Sequence, residues 1–302
     1  MKTPVSLVLS SGSARGMAHI GVIEALEENG FEIKEIAGCS IGALIGGVYA
    51  AGKLQYLKEW LCNLHKIDVF KLMDFSFGSQ GFIKGNKVFN EVNKFIKDIN
   101  IEDLKIPFSA VAVDINKQEE YIFRNGNLQN AIRASVAIPN VIQPFKYNNS
   151  FFVDGGVLNP LPINLLNHNN KNLLVVVDLN SLNIIGEKIQ IINKTPAQEK
   201  KEQKSILKSI EFKERWDKIF PNNKKEKEKE TEKLGYLTIL NRSFDMMQNK
   251  ISKQAINEFK PDILIEISKS ACNTFDFYKA DEMIALGKST CNKVLAEYKL
   301  KK

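Results

Sequence analysis

A serine between two glycines is the residue of this 302-residue chain best suited to chemistry. The pattern is Gly-x-Ser-x-Gly, with Ser40 between Gly38 and Gly42. An apolar run, Ile33 to Ala37, predicts a strand before it, and the small and apolar residues 43–51 predict a helix after it. A serine on such a sharp strand-to-helix turn presents its hydroxyl as a nucleophile. A glycine-rich turn with a solvated serine is the alternative, because a bare Gly-x-Ser-x-Gly is a weak signal.

A loop of small residues with one arginine, Ser10 to Gly16, follows the first apolar run of the chain. Such a loop can direct backbone N–H groups at a serine, as an oxyanion hole requires. A helix over Met17 to Asn29 follows, so the loop and Ser40 lie at the same strand ends, where open α/β sheets bind ligands. Nucleotide-phosphate binding is the rival interpretation. The Gly-Lys-Ser/Thr of a P-loop is missing, and Ser11 and Ser13 replace the first two glycines of Gly-x-Gly-x-x-Gly.

A carboxylate follows a further predicted strand, Phe151 to Val153, in the sequence Asp154-Gly155-Gly156. Two glycines after a carboxylate let other groups approach it closely. The alternative is an ordinary β-turn, for which Asp-Gly is a common signal. Taken alone, this motif is weak.

Taken together and in this order, these segments resemble the patatin-like phospholipase family, in particular its compact bacterial serine hydrolases. The resemblance covers roughly residues 5–180, and the matching stretches are Leu9 to Val22, Gly38 to Gly47, Ala131 to Pro139 and Val153 to Pro162. It implies an α/β fold, with three α/β/α layers and a mainly parallel central sheet. It also implies a lipid acyl hydrolase with a Ser-Asp dyad.

The resemblance assigns roles to residues of this chain. The nucleophile falls on Ser40 and the acid that completes the dyad on Asp154, while Asp114 and residues 133–139 look structural around the site. The oxyanion hole falls on the small-residue loop with its basic residue, that is on Ser11, Gly12, Ser13, Arg15 and Gly16. The glycines that support the two motifs are Gly38, Gly42, Gly155 and Gly156.

The chain departs from the family in the oxyanion loop, where the family usually has glycine at the positions of Ser10, Ser11 and Ser13. A serine still donates its backbone N–H but resists a positive φ. One misplaced donor would lower the rate about 100- to 1,000-fold. Two functions stay open: a phospholipase A or lysophospholipase-like esterase, and a weakly active or inactive lipid-binding or regulatory protein of the same fold.

A histidine triad on an ordinary α/β-hydrolase fold is a third interpretation. The chain has only His19, His65 and His168, and that fold places its histidine after the acid, so only His168 qualifies. The position of the nucleophile argues against this fold, which usually has several strands before its elbow. This chain has room for one strand before the strand that enters Ser40.

Composition limits the partners. The net charge of +7 is a mild excess, and no aromatic-basic motif indicates nucleic-acid binding. Four cysteines without metal or disulfide spacing predict no metal and reduced thiols in a cytoplasm. We expect a lipid or acyl-ester substrate, no cofactor, and a cytoplasmic location, with peripheral membrane contact as the alternative; the oligomeric state stays open.

We expect a single patatin-like domain over residues 1–302, with a variable insertion at about 181–233 and a helix-strand-helix segment over 234–302 that completes it. A charged run at 224–230 predicts solvated or disordered chain, and the Lys-rich amphipathic segment just before it predicts either a docked helix or a membrane-surface helix. The aromatic, glycine-punctuated stretch 70–85 predicts either a buried loop or an apolar flap over an acyl-chain pocket.

Overall fold

The computed structural model describes residues 2–74, 83–166, 171–182 and 236–300, with side chains from 239 in the last range. Residues 1–186 and 243–302 form one compact unit, and residues 187–242 form another. Most of the second unit, the core of the aromatic stretch and His168 lie outside the described residues. The single-domain assignment and the charged insertion therefore stay predictions.

The described residues contain one eight-stranded sheet in the spatial order β5-β6-β3-β2-β1-β7-β8, with β4 paired to β3. Strands β3, β2, β1, β7 and β8 run parallel, whereas β4, β5 and β6 pair antiparallel. This confirms the predicted α/β class with a mainly parallel sheet. The strands are β1 (Thr3–Leu9), β2 (Phe31–Cys39), β3 (Phe108–Asp114), β4 (Glu119–Phe123), β5 (Phe145–Tyr147), β6 (Ser150–Asp154), β7 (Leu173–Ser181) and β8 (Ile263–Ser268).

Helices cover both faces of the sheet. Alternate residues of a strand point to opposite faces, and both faces carry apolar side chains that need covering. On β1, Leu7 and Leu9 enter a large core, whereas Val8 enters a separate, smaller one. No helix in the described ranges is long and apolar enough to cross a bilayer. The helices are α1 (Ala18–Glu28), α2 (Ile41–Ala50), α3 (Leu54–Cys62), α4 (Lys66–Leu72), α5 (Asn86–Ile96), α6 (Leu128–Ser135), α7 (Tyr236–Phe259) and α8 (Ala280–Leu300).

Helices α1 and α8 pack against each other through two glycines. A Cβ at Gly21 would lie 1.9 Å from the carbonyl oxygen of Ile284, and one at Gly287 would lie 2.0 Å from that of Ala18. Only glycine permits such a close approach of two helix backbones. Helix α8 is therefore fixed on the helix that follows the small-residue loop Ser10 to Gly16.

Apolar spacing predicts one helix over residues 52–67, and residues 131–140 predict a helix that proline stops; the structure differs in the bounds of both. The segment 52–67 holds two short helices, because α4 has a new start at His65, whose N–H donates to Asp68 Oδ2 over 3.1 Å. Helix α6 begins earlier than predicted, since Asn127 caps it by accepting the N–H of Asn130 over 3.2 Å. It ends at Ser135, well before Pro139, and this end of the helix contributes to the site.

Candidate active site

Ser40 stands alone between β2, which ends at Cys39, and α2, which begins at Ile41. Its φ of 55° and ψ of −122° are unusual for a residue with a side chain. Non-glycine residues in such conformations cluster at active sites, and a nucleophile elbow is one of them. Ser40 therefore lies on a strained turn between a strand and a helix.

Glycine is required on both sides of Ser40 because the elbow is tightly packed. A Cβ at Gly42 would lie 2.2 Å from the carbonyl oxygen of Leu9 at the end of β1. A Cβ at Gly38 would lie 2.6 Å from the carbonyl oxygen of Gly42. The two glycines thus bring the elbow against β1, the strand that leads into the small-residue loop Ser10 to Gly16.

Asp154, the last residue of β6, meets Ser40 through their side chains. The Ser40 hydroxyl donates a short hydrogen bond to Oδ2 of Asp154, and both residues are buried. The other oxygen, Oδ1, accepts the N–H of Gly156 over 2.7 Å and lies 3.8 Å from Sγ of Cys39. The two residues assigned to the dyad, 114 positions apart, are therefore in direct contact.

The carboxyl group of Asp154 is tuned by its surroundings. Burial raises its pKa to about 6, and the hydrogen bonds that it accepts, first that of the Ser40 hydroxyl, oppose this rise. A carboxylate with a raised pKa is a stronger base than a solvated one and is still ionised near neutral pH. Asp154 can therefore accept a proton from the hydroxyl that it already binds.

Side chains from α1 and β7 bind two carbonyl oxygens of the small-residue loop. His19 Nε2 lies 3.0 Å from the carbonyl oxygen of Ser10, and Asn180 Nδ2 donates to that of Ser11 over 3.0 Å. Within the described residues, the N–H groups of Gly12 and Ser13 have no acceptor. These two N–H groups are free to receive a ligand oxygen.

The three serines that replace glycine in the small-residue loop have different structural settings. Ser13 has a φ of 51°, in the left-handed region that favours glycine. The Ser11 hydroxyl lies 3.4 Å from Asn180 Nδ2, and the Ser10 hydroxyl accepts the N–H of Leu179 over 3.0 Å. Two of the serine hydroxyls therefore join the loop to β7, while the third position carries backbone strain.

Arg15 lies in the loop, but its side chain turns toward the end of β7. Its Nε donates to the carbonyl oxygen of Leu179 over 3.1 Å, and Nη2 lies 3.5 Å from Asn180 Oδ1. Burial lowers the pKa of the guanidinium, which stays cationic at neutral pH. The contacts of Arg15 thus anchor the loop, and neither of them is to Ser40.

The described histidines do not contact the dyad. His19 is fully buried, and burial lowers its pKa to about 4, so the ring is neutral and its Nε2 donates to Ser10. His65 caps α4. Asp114 also has a structural setting, because its Oδ1 accepts the N–H groups of Asn116 and Lys117 and the Ser150 hydroxyl in the turn after β3.

A cavity of about 150 Å³ opens beside Ser40. Ser40 and Ser13 lie on its wall, and most of the other described lining residues are apolar. Helices α2, α3, α4 and α5 supply much of the wall, including Leu44, Trp60, Leu61, Val69, Phe89 and Val92. Such a space suits a hydrocarbon chain whose polar end reaches Ser40.

Ser135 lies in the stretch 133–139 that the resemblance placed around the site, whereas three other positions were not predicted from the sequence. Ser135 at the end of α6 accepts the N–H of Ser40 over 2.9 Å. Asn180, Gln248 and Asn249 bind the loop, the turn after Asp154 and one another. Asn180 had a readable signal, since a polar residue at the C-terminal end of an apolar parallel strand lies where α/β folds bind ligands.

Comparison with known proteins places the chain in a family. The Patatin-like phospholipase family profile matches residues 7–167. An uncharacterised NTE family protein of Mycobacterium bovis is 32% identical over 314 residues, which cover 91% of this chain and 87% of that protein. The Lysophospholipase NTE1 of Cryptococcus neoformans is 32% identical over 186 residues, which cover 59% of this chain and 11% of that protein.

Among solved structures, VipD from Legionella pneumophila matches 97% of this chain and 67% of its own, with a TM-score of 0.48 and 14% identity. The profile match spans more than half of the chain and contains Ser40, Asp154 and the small-residue loop. The chain belongs to the patatin-like phospholipase family.

Proposed function

We propose that this protein is a lipid acyl hydrolase that cleaves the acyl esters of phospholipids or lysophospholipids through a Ser40–Asp154 dyad. The observation that carries the proposal is the hydrogen bond from the Ser40 hydroxyl to Asp154, made at the wall of an apolar cavity. The family supports lipid hydrolysis as the reaction class. The Cryptococcus relative is named a lysophospholipase, which fits the same substrate class.

The first half of the reaction uses the contact between the two side chains. As Ser40 Oγ attacks the ester carbonyl carbon, its proton passes to Oδ2 of Asp154 and an acyl-enzyme forms when the alcohol leaves. The protonated Asp154 then donates its proton to the departing alkoxide. The raised pKa of Asp154 suits both the acceptance and the return of this proton.

Stabilisation of the oxyanion must supply much of the reduction in the barrier, because a carboxylate is a weak base for a hydroxyl. The N–H groups of Gly12 and Ser13 are the available donors for the oxyanion. The amide groups at the start of α2, just after Ser40, add a partial positive charge. Removing one oxyanion donor costs about 100- to 1,000-fold in kcat.

The second half of the reaction releases the fatty acid. Once the alcohol has left, a water molecule takes its place and Asp154 accepts a proton from it, so that the water oxygen attacks the acyl carbon. The tetrahedral intermediate collapses, and Ser40 recovers its proton from Asp154. The acyl chain lies in the apolar cavity during both halves, which excludes bulk water from its length.

The experiment is hydrolysis of phospholipid and lysophospholipid vesicles and of p-nitrophenyl acyl esters by the wild type, Ser40→Ala and Asp154→Asn. We expect both variants to lose nearly all activity while keeping the far-UV circular dichroism of the wild type. Incubation with a fluorophosphonate followed by mass spectrometry should place a single adduct on Ser40. Activity that survives in Asp154→Asn would contradict the dyad.

A lipid-binding protein with little turnover is the second candidate, favoured by the strained φ of Ser13 in the loop. The two functions differ in the probe reaction. A hydrolase forms the Ser40 adduct and releases fatty acid, whereas a binding protein retains fatty acid or lysolipid without forming the adduct.

A further inference from the structure

Two neighbouring side chains on α7 reach two separate parts of the site. Gln248 Nε2 donates to the carbonyl oxygen of Gly156 over 3.0 Å, in the turn after Asp154. Asn249 Nδ2 donates to the carbonyl oxygen of Asn180 over 2.9 Å, and Asn180 in turn binds the oxyanion loop. Helix α7 lies outside residues 7–167, the part matched by the family profile. The C-terminal part of the chain therefore contributes directly to the site.

Gly156 is the point where the helix, the acid and the loop converge. A Cβ at Gly156 would lie 2.4 Å from Gln248 Nε2, 3.0 Å from Asp154 Oδ1 and 3.5 Å from Ser11 Oγ. A side chain there would displace the Gln248 amide, and it is the Gly156 backbone that links Gln248 to Asp154. Its carbonyl oxygen accepts from Gln248, and its N–H donates to Oδ1 of Asp154 over 2.7 Å.

We propose that Gln248 is a positioning residue that holds Gly156 in the orientation in which its N–H supports the Asp154 carboxylate. The proposal rests on Asp154 being the acid-base residue of the proposed function. Glycine has more backbone freedom than any other residue, so a glycine pair after the acid needs an outside contact to keep one orientation. Gln248 supplies that contact from a helix 92 positions away.

The consequence concerns the ionised form of Asp154. A hydrogen bond donated to a carboxylate favours its charged form and lowers its pKa. Burial raises the pKa of Asp154, and hydrogen bonds from the Ser40 hydroxyl, the Gly156 N–H and the Cys39 thiol oppose it. The titratable neighbour on β2 is Cys39, whose own pKa is raised by burial and by Asp154, with a smaller contribution from Glu120 on β4.

The test is the Gln248→Ala variant of the full chain, with the pKa of Asp154 read from its ¹³C carboxyl resonance, assigned by comparison with Asp154→Asn. We expect the pKa to rise by about 1. The acidic limb of kcat/KM on a soluble p-nitrophenyl ester should move to higher pH by the same amount, so activity falls about fivefold at pH 6 and little at pH 8. Gln248→Asn, one methylene too short, should behave like Gln248→Ala.

Two control variants lie on the same helix. Gln254→Ala removes an exposed glutamine and should leave the pKa and activity unchanged. Asn249→Ala removes a buried hydrogen bond from the same helix that leads to the oxyanion loop, so it should lower kcat without moving the acidic limb.

The outcomes separate the two proposals. An unchanged Asp154 pKa in Gln248→Ala, with or without a loss of stability, would overturn the positioning role. Activity that persists in Asp154→Asn would instead overturn the proposed function. The NMR titration needs no turnover, so it reads the positioning role even if the wild type is a poor catalyst.

Discussion

The N–H of Ser40 donates to the hydroxyl of Ser135 over 2.9 Å, and that hydroxyl donates to the carbonyl oxygen of Val111 over 2.6 Å. Ser40 is thus tied through one side chain to the central strand β3. Ser135 is fully buried at the end of α6. The hydroxyl of Ser135 therefore gives the N–H of the buried Ser40 a hydrogen-bond partner. This hydrogen bond helps to hold the strained turn in its conformation.

Replacing Ser135 by alanine should therefore leave Ser40 less firmly positioned. The Ser40 N–H and the Val111 carbonyl would lose their shared partner, and we expect the free energy of unfolding to fall by about 1–3 kcal/mol in urea titrations. Labelling of Ser40 by a fluorophosphonate should slow at least about tenfold, since a small misplacement of a reacting group is costly. Ser289→Ala, an exposed change on α8, should alter neither quantity. Full labelling of Ser135→Ala would limit Ser135 to a role in stability.

The oxyanion loop gives a prediction about backbone conformation. Ser13 adopts a left-handed φ of 51°, which costs a non-glycine residue about 1–2 kcal/mol. Ser13→Gly should keep or raise turnover of p-nitrophenyl acetate, because glycine adopts this conformation freely. Ser13→Val should lower kcat about 100-fold, because a β-branched residue resists a positive φ and moves the N–H donor. A fully active Ser13→Val would show that this N–H is not an oxyanion donor.

The sequence predicted those parts of the site that short, contiguous motifs encode. The elbow and the Asp-Gly-Gly turn are short motifs next to apolar runs. The antiparallel pairing of β6 with β3 is not indicated by the pattern, and it sets Asp154 opposite Ala112, the neighbour of the residue that pairs with Cys39. Ser40 and Asp154 were expected to form a pair on the strength of four ordered motifs, and the structure puts them in contact. Their catalytic roles stay a prediction.

Side-chain directions across the fold could not be predicted. The resemblance assigned Arg15 to the oxyanion loop, and no sequence pattern indicated that its guanidinium would bind Leu179 and Asn180. Gln248 lies in the predicted helix-strand-helix segment 234–302, and its contact with Gly156 spans 92 positions. Such contacts depend on how α7 docks on the sheet, and no local pattern encodes that docking.

The cavity predicts which substrates fit. Val92 on α5 is fully buried and lines the cavity beside Ser40. Val92→Phe should fill this space, so the ratio of kcat/KM for p-nitrophenyl dodecanoate over butyrate should fall at least about tenfold. Val294→Phe on α8 packs against the core without lining the cavity, and it controls for the strain of about 1–3 kcal/mol that overpacking causes. An unchanged ratio would mean that the acyl chain lies elsewhere.

The raised pKa of Asp154 links activity to pH. The buried carboxyl group has a pKa of about 6 in the folded protein, against about 3.9 in an unfolded chain. The dyad needs the ionised form, so kcat/KM on a soluble ester should be half-maximal near pH 6 and level off above about pH 7. A rate that is flat between pH 5 and pH 8 would exclude Asp154 as the base.

The same shift predicts that the Asp154 carboxylate costs stability. The folded state holds the Asp154 proton more tightly than the unfolded chain, so the stability that this proton gives is fully present below pH about 4 and is lost as the pH rises through about 6. Above that pH the ionised carboxylate lowers the free energy of unfolding by up to about 3 kcal/mol relative to a neutral group.

Asp154→Asn should therefore be inactive but more stable than the wild type at pH 8, with the difference shrinking toward pH 4. Asp178, whose pKa burial also raises to about 6, is present in both proteins and cancels in the comparison. Urea unfolding of both proteins from pH 4 to pH 8 measures this difference, and a variant that is less stable than the wild type at pH 8 would show that the Asp154 carboxylate stabilises the fold.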